Sequence, residues 1–146
     1  MSDFRQLTEA FWASPQIGLA DIAEARARGF ALIVNNRPEG ESDDQVPGSA
    51  VEAAAREAGL DYVAIPITHA GFSEEQVSAM AEALGHAAGP VLAYCRSGTR
   101  STLLWALAQA LGGRDPDDIA ADAARGGYDV GSIRPLLEML AARDRN

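Results

Sequence analysis

Short apolar blocks alternate along the chain with longer stretches in which apolar residues recur every three or four positions, and this alternation predicts strands and helices in turn. Phe11-Trp12-Ala13-Ser14 reads as a short first strand closed by Pro15. From Leu19 to Arg28 the positions Leu19, Ile22, Ala23 and Ala27 share a helical face, with acidic residues early, arginines late and Gly29 as the stop. Phe30 to Asn35 is an unbroken apolar strand, followed by the turn-rich Asn36-Arg37-Pro38-Glu39-Gly40 and an acidic loop from Glu41 to Gln45. Ser49 with Glu52 predicts a capping box for a helix that Gly59 closes. Asp61 to Ile67 reads as a third strand, with Pro66 marking a sheet edge or the strand's end. Ser73 with Gln76 predicts another capping box, opening a helix through Val77, Met80, Ala81 and Leu84. Pro90 to Tyr94 is a fourth strand, and Ser101 to Leu111 has the composition of a buried helix ended by Gly112-Gly113. Asp115-Pro116 opens the next helix, with aspartate as cap and proline in the first turn, and Ser132 is expected to cap the last.

Strands separated by helices imply an α/β fold: a three-layer αβα arrangement around a mainly parallel sheet of four to five strands, forming a single domain over residues 1–146. Ligands of such sheets bind beyond the carboxyl ends of the strands. Those ends carry Asn35 to Arg37, Thr68-His69, and Cys95 onward. Three segments distant in sequence are therefore expected to meet at one mouth.

Composition narrows the chemistry. The 146 residues are 47% hydrophobic, enough for a real core, and carry a net charge of -9 with arginine as the sole basic residue type apart from histidine. An acidic surface argues against nucleic acid or anionic membrane as a partner, since both need a basic footprint. The segment Met1 to Leu7 lacks a basic start followed by an apolar core, and no apolar run approaches the roughly 20 residues that span a bilayer. A soluble, cytoplasmic protein is the resulting expectation. Cys95 is the one cysteine, so neither an internal disulfide nor a multi-thiolate metal site can form, and neither metal nor cofactor is expected.

That cysteine sits in Tyr94-Cys95-Arg96-Ser97-Gly98-Thr99-Arg100-Ser101, between a strand and a helix. A helix N-terminus and two guanidinium groups favour thiolate over thiol. Successive N–H groups from Ser97 to Ser101 can form an anion nest, with Gly98 adopting a left-handed conformation that turns amides inward. Arg100 offers a bidentate fork, and Arg96 and Arg37 are further candidates for lining the anion site. Ser101 is placed to cap the helix and to donate to sulfur. Glu41, Asp43 and Asp44 read most simply as a solvated charge run, with a loop acid for the site as the alternative, and His69 and His86 as surface or loop residues.

The run Cys95-Arg96-Ser97-Gly98-Thr99-Arg100-Ser101 resembles the persulfide loop of rhodanese sulfurtransferases, in which arginine follows cysteine at the fifth position. Tyrosine and dual-specificity phosphatases use a loop one residue longer. Over Phe4 to Ala141, however, the segments Asn35-Asn36-Arg37-Pro38-Glu39, Tyr62 to Ile67 and Val91 to Ser101 resemble the beta-lactamase-hydrolase-like, phosphatase-like domain family. That resemblance implies a protein-tyrosine-phosphatase-like fold, with some members fused to persulfide dioxygenase domains or assigned to sulfur transfer. Phosphatases of this fold usually carry His before the nucleophile, where this chain has Tyr94. They also carry an aspartate acid at a place that His69 takes here.

Loop length favours a cysteine-dependent sulfurtransferase as the first expectation. Cys95 would carry a persulfide, Arg100 and Arg96 would bind a small anionic sulfur donor, and a thiol acceptor or persulfide dioxygenase would be the partner. A slow cysteine-dependent phosphatase acting on a phosphoester, with His69 as candidate acid, is the alternative. A non-catalytic anion-binding or redox-sensing module is the third.

Overall fold

The computed structural model describes residues 2–144. Among them the chain forms β1 (Arg5–Gln6), β2 (Phe11–Ser14), α1 (Leu19–Ala27), β3 (Leu32–Asn35), α2 (Gly48–Glu57), β4 (Asp61–Ala64), α3 (Glu74–His86), β5 (Val91–Tyr94), α4 (Thr99–Leu111), α5 (Pro116–Arg125), a 3-10 turn (Gly131–Ile133) and α6 (Arg134–Asp144). The strands make one sheet in the order β1-β2-β5-β3-β4, parallel except for the antiparallel β1–β2 pair. The mainly parallel α/β sheet is thus observed, with β1 as an antiparallel edge that two residues were too few to announce.

Both faces of the sheet are covered, which is why its strands read as continuous apolar runs rather than as alternations. Leu32, Val34, Val91, Ala93, Phe11 and Ala13 face the larger core, built with α3, α4, α5 and α6. Ile33, Leu92 and Tyr94 face the smaller one, with Val51 and Ala55 of α2 and Ile22 and Ala25 of α1. Helix α4 is buried nearly all round, and Trp105 stacks on Phe11 with ring centroids 5.4 Å apart. A helix apolar on every side belongs in the interior.

The chain leaves β3 towards α2 on one face and leaves neighbouring β5 towards α4 on the other. Diverging exits from adjacent parallel strands open a crevice at their carboxyl ends. The Asn36–Gln45 segment and the Cys95 loop stand at that crevice.

Local signals were followed where nothing nearby competed. Ser73 accepts from the Gln76 N–H and Gln76 returns the bond, and Asp115 caps α5 with Pro116 in its first turn. Two predicted caps are corrected. Helix α2 begins at Gly48 behind an extended Pro47, because the Glu39 carboxylate takes the Gly48 N–H at 2.9 Å, leaving Ser49 inside the first turn. Ser132 lies within the 3-10 turn and caps nothing. Strand β4 ends at Ala64, two residues before Pro66, and occupies the sheet edge.

Candidate active site

Central strand β5 delivers Cys95 into the crevice. Its N–H donates to the Ser14 carbonyl at 3.4 Å, continuing the β2 pairing by one residue, and the thiol group is fully buried. The loop then turns through Gly98, whose φ of 93° is left-handed and sterically costly for any side chain. This turn swings the Gly98 N–H onto the sulfur, with N to Sγ at 3.1 Å, and starts α4 at Thr99. The helix therefore begins two residues earlier than its apolar run suggested. Ser101 is its third residue rather than its cap, and its Oγ is buried without a hydrogen-bond partner. The N–H groups of Arg100 and Ser101 lie in the first turn, where an α-helix offers them no acceptor of its own.

Arg100 is held on two sides. Its Nη1 donates to Glu41 Oε2 at 2.6 Å and to the Ile67 carbonyl at 2.8 Å, while Nη2 donates to Glu41 Oε1 at 2.8 Å. Glu41 Oε1 also accepts from Arg37 Nε at 2.9 Å, so one carboxylate joins two guanidinium groups. These contacts hold the Glu41 carboxyl at a pKa of about 2, through the Arg100 bonds first, against the opposing effect of burial, with Arg37 adding to them. Arg100 is shifted upward by the same Glu41 bonds, with a further contribution from the neighbouring Cys95 sulfur.

The Arg37 side chain is 4% exposed, and besides Glu41 it donates from Nη1 to Gln16 Oε1 at 2.9 Å and from Nη2 to Ser42 Oγ at 3.1 Å. It knits the end of β2, the exit of β3 and the acidic loop together. Arg96, Ser97 and Thr99 are exposed on the loop, and Arg96 is anchored through its carbonyl by the Gln16 N–H. His69 is exposed in the turn just beyond Ile67, the residue whose carbonyl Arg100 takes, whereas His86 ends α3 beside β4. The exits of β3 and β4 meet the Cys95 loop, through Glu41 and Ile67 on Arg100 rather than through Thr68-His69, with Arg37 behind Glu41.

Two contributors escaped the reading of the sequence. Glu41 looked like one of several solvated acids, yet it alone of Glu41, Asp43 and Asp44 turns inward, and its i,i+4 relation to Arg37 was the available signal. Tyr128 comes from beyond α5: its hydroxyl donates to the Ser97 carbonyl at 3.1 Å and packs against Gly98. Nothing local marks it. Tyr94, in contrast, points into the smaller core away from the sulfur side, its hydroxyl buried and its pKa pushed upward mainly by that burial. Among the described residues no cluster of three or more His, Cys, Asp or Glu is placed to hold a metal ion.

Comparison with known proteins places this geometry. A "Beta-lactamase hydrolase-like protein" from Xylella fastidiosa (strain 9a5c) is 37% identical over 115 residues, covering 78% of this chain and 27% of that protein. The chain therefore spans little more than a quarter of that relative's length. The solved structure of a candidate phosphatase, nma1982 from Neisseria meningitidis Z2491, is 30% identical, covers 96% of this chain and 99% of its own, and superposes with a TM-score of 0.83. Tk-PTP in its active form shares the fold at a TM-score of 0.73 and 16% identity, over 97% of each chain. The protein-tyrosine-phosphatase-like fold is thereby established. Residues 3–112 match the family described as "Beta-lactamase hydrolase-like protein, phosphatase-like domain", and the chain belongs to that family.

Proposed function

We propose that this domain is a cysteine-dependent phosphomonoester hydrolase. The observation that carries the reading is the convergence on one sulfur of the Gly98 N–H, the first turn of α4 and the guanidinium of Arg100. Such a cradle suits a tetrahedral oxyanion in contact with a nucleophile.

In this reading the Cys95 thiolate attacks phosphorus in line with the ester oxygen. The S–P bond forms as the P–O bond breaks, and the leaving oxygen takes a proton from solvent or from a nearby acid, for which His69 is the candidate. Water then attacks the phosphocysteine, releasing inorganic phosphate and restoring the thiolate. The Arg100 guanidinium and the first-turn N–H groups of Arg100 and Ser101 hold the non-bridging oxygens throughout. Positioning and preorganised charge supply most of the acceleration in phosphoryl transfer.

The sequence-based preference for sulfur transfer rested on the Cys95-to-Arg100 spacing and on two departures from phosphatases, Tyr94 before the nucleophile and His69 in the place of the aspartate acid. Family membership and the phosphatase-like fold support the phosphoester instead, so sulfur transfer becomes the second reading, retained for that spacing. One experiment addresses both. Wild type and Cys95→Ser are assayed side by side for aryl phosphate hydrolysis and for thiocyanate formation from thiosulfate and cyanide, with acid-quenched mass spectrometry of Cys95. Phosphate release that is inhibited by vanadate, absent in Cys95→Ser and accompanied by a phosphorylated Cys95 is expected. Sulfur on Cys95 with thiocyanate formation and no phosphate release would overturn the proposal.

A further inference from the structure

A guanidinium group has five N–H donors. Glu41 and the Ile67 carbonyl occupy both hydrogens of Arg100 Nη1 and one of Nη2, which leaves two, on Nε and on the outer side of Nη2. Those two are parallel neighbours on one edge, the side-on fork that matches a pair of oxygens on a tetrahedral anion. The Glu41 carboxylate thus grips the far edge of Arg100 and leaves the near one in a fixed orientation. It takes no N–H from the cysteine loop, so it does not fill the cradle itself.

Arg37 completes the arrangement. A carboxylate bonded only to Arg100 would swing with it on a flexible arm, but Glu41 Oε1 is also fixed by the Nε of Arg37, a buried side chain tied to Gln16 and Ser42. Gln16 in turn donates its N–H to the Arg96 carbonyl in the cysteine loop, so the chain of contacts closes on the cradle it serves.

We infer that Glu41 and Arg37 are positioning residues: through Arg100 they preset the fork that receives the oxyanion of the substrate. This rests on the phosphatase reading for its substrate, but the geometric claim concerns oxyanion binding and can be measured without turnover. Arg37 would then serve the anion indirectly, from behind Arg100.

The test is a double-mutant cycle on the full chain, with tungstate as the tetrahedral oxyanion probe, binding read by titration calorimetry and folding checked by thermal melts. Glu41→Gln should weaken tungstate binding roughly 10- to 100-fold, the loss that accompanies a charge-assisted contact. Arg100→Lys should weaken it comparably, and Glu41→Gln should add little in the Arg100→Lys background, because its effect passes through the missing fork. Arg37→Met should reproduce a smaller loss. Should Glu41→Gln fail to fold, Glu41→Asp keeps the charge one methylene shorter, and it should weaken binding only in the presence of Arg100.

A neutral Glu41→Gln, or losses that simply add in the double variant, overturn the inference. If wild type hydrolyses no phosphomonoester yet the cycle is non-additive, the phosphatase reading falls while the positioning role stands. Hydrolysis that survives Glu41→Gln undiminished separates them the other way.

Discussion

Tyr128 donates its hydroxyl to the Ser97 carbonyl at 3.1 Å and lies against Gly98 so closely that a Cβ there would strike the phenol. The cysteine loop is thus braced from below by a residue thirty-one positions away, and glycine is required at its apex for two separate reasons. The left-handed φ of 93° costs a side chain about 1–2 kcal/mol, and the blocked space adds to it. Gly98→Ala is expected to destabilise the fold by about 2 kcal/mol or more and to abolish phosphate release. Tyr128→Phe removes one hydrogen bond and should cost about 1 kcal/mol. Because the ring carbon beneath the hydroxyl also crowds the Cβ, Tyr128→Phe should not rescue Gly98→Ala. Urea unfolding and aryl phosphate assays of the three variants check this.

The Glu41 bridge sets a pH window. Its carboxyl falls from an ordinary 4.5 to about 2 in the folded chain, through Arg100 first and against the effect of burial. A depressed carboxylate contributes stability that is fully present above its unfolded pKa and is lost as the pH falls through the folded value. Glu41→Gln should therefore melt below wild type by a margin constant from neutral pH to about 5 and shrinking as pH falls from about 4.5 towards 2. Thermal melts of both proteins across that range measure it, and a margin that persisted undiminished to pH 2 would show that the ion pairs are not its source.

Helix caps give a third set of outcomes. Ser73→Ala and Asp115→Ala each remove a side-chain cap and should each cost about 1 kcal/mol. Ser49→Ala and Ser132→Ala, where the sequence equally suggested caps, should change stability by less than about 0.5 kcal/mol. Glu39→Ala should cost as much as a true cap, because its carboxylate serves the Gly48 N–H across nine residues. Denaturant midpoints of the five variants rank them.

The same contrast explains how much of the molecule was legible. Helices with local caps and the buried strands follow from neighbours within four residues, and the cysteine loop falls between strand and helix as expected, although α4 starts at Thr99 and Ser101 is not its cap. The meeting of strand ends also followed, since parallel topology dictates it. What stayed hidden depends on partners far apart: Glu39 displacing Ser49 as the cap of α2, Tyr128 beneath Gly98, and Glu41 turned inward to Arg100 across fifty-nine positions. Spacing along the chain says nothing of such pairs. Arg37 is the instructive case: the sequence offered it equally as a surface arginine or as one lining the anion site, and its burial and its bonds to Glu41, Gln16 and Ser42 depend on the folded loop around it.

The role of His69 can be separated from that of the cradle by the leaving group. The residue is exposed in the turn two positions beyond Ile67, whose carbonyl accepts from Arg100. A general acid matters only when the departing oxygen needs a proton. With an aryl phosphate, whose leaving group departs as a stable phenolate, His69→Ala should change kcat by less than about threefold. With an alkyl phosphate the same substitution should slow turnover by about 100-fold, the lower range of general acid catalysis. Equal effects on both substrates would remove His69 from proton transfer and assign the proton to solvent, whereas loss of both reactions in Cys95→Ser should hold in either case, since the sulfur precedes the choice of acid.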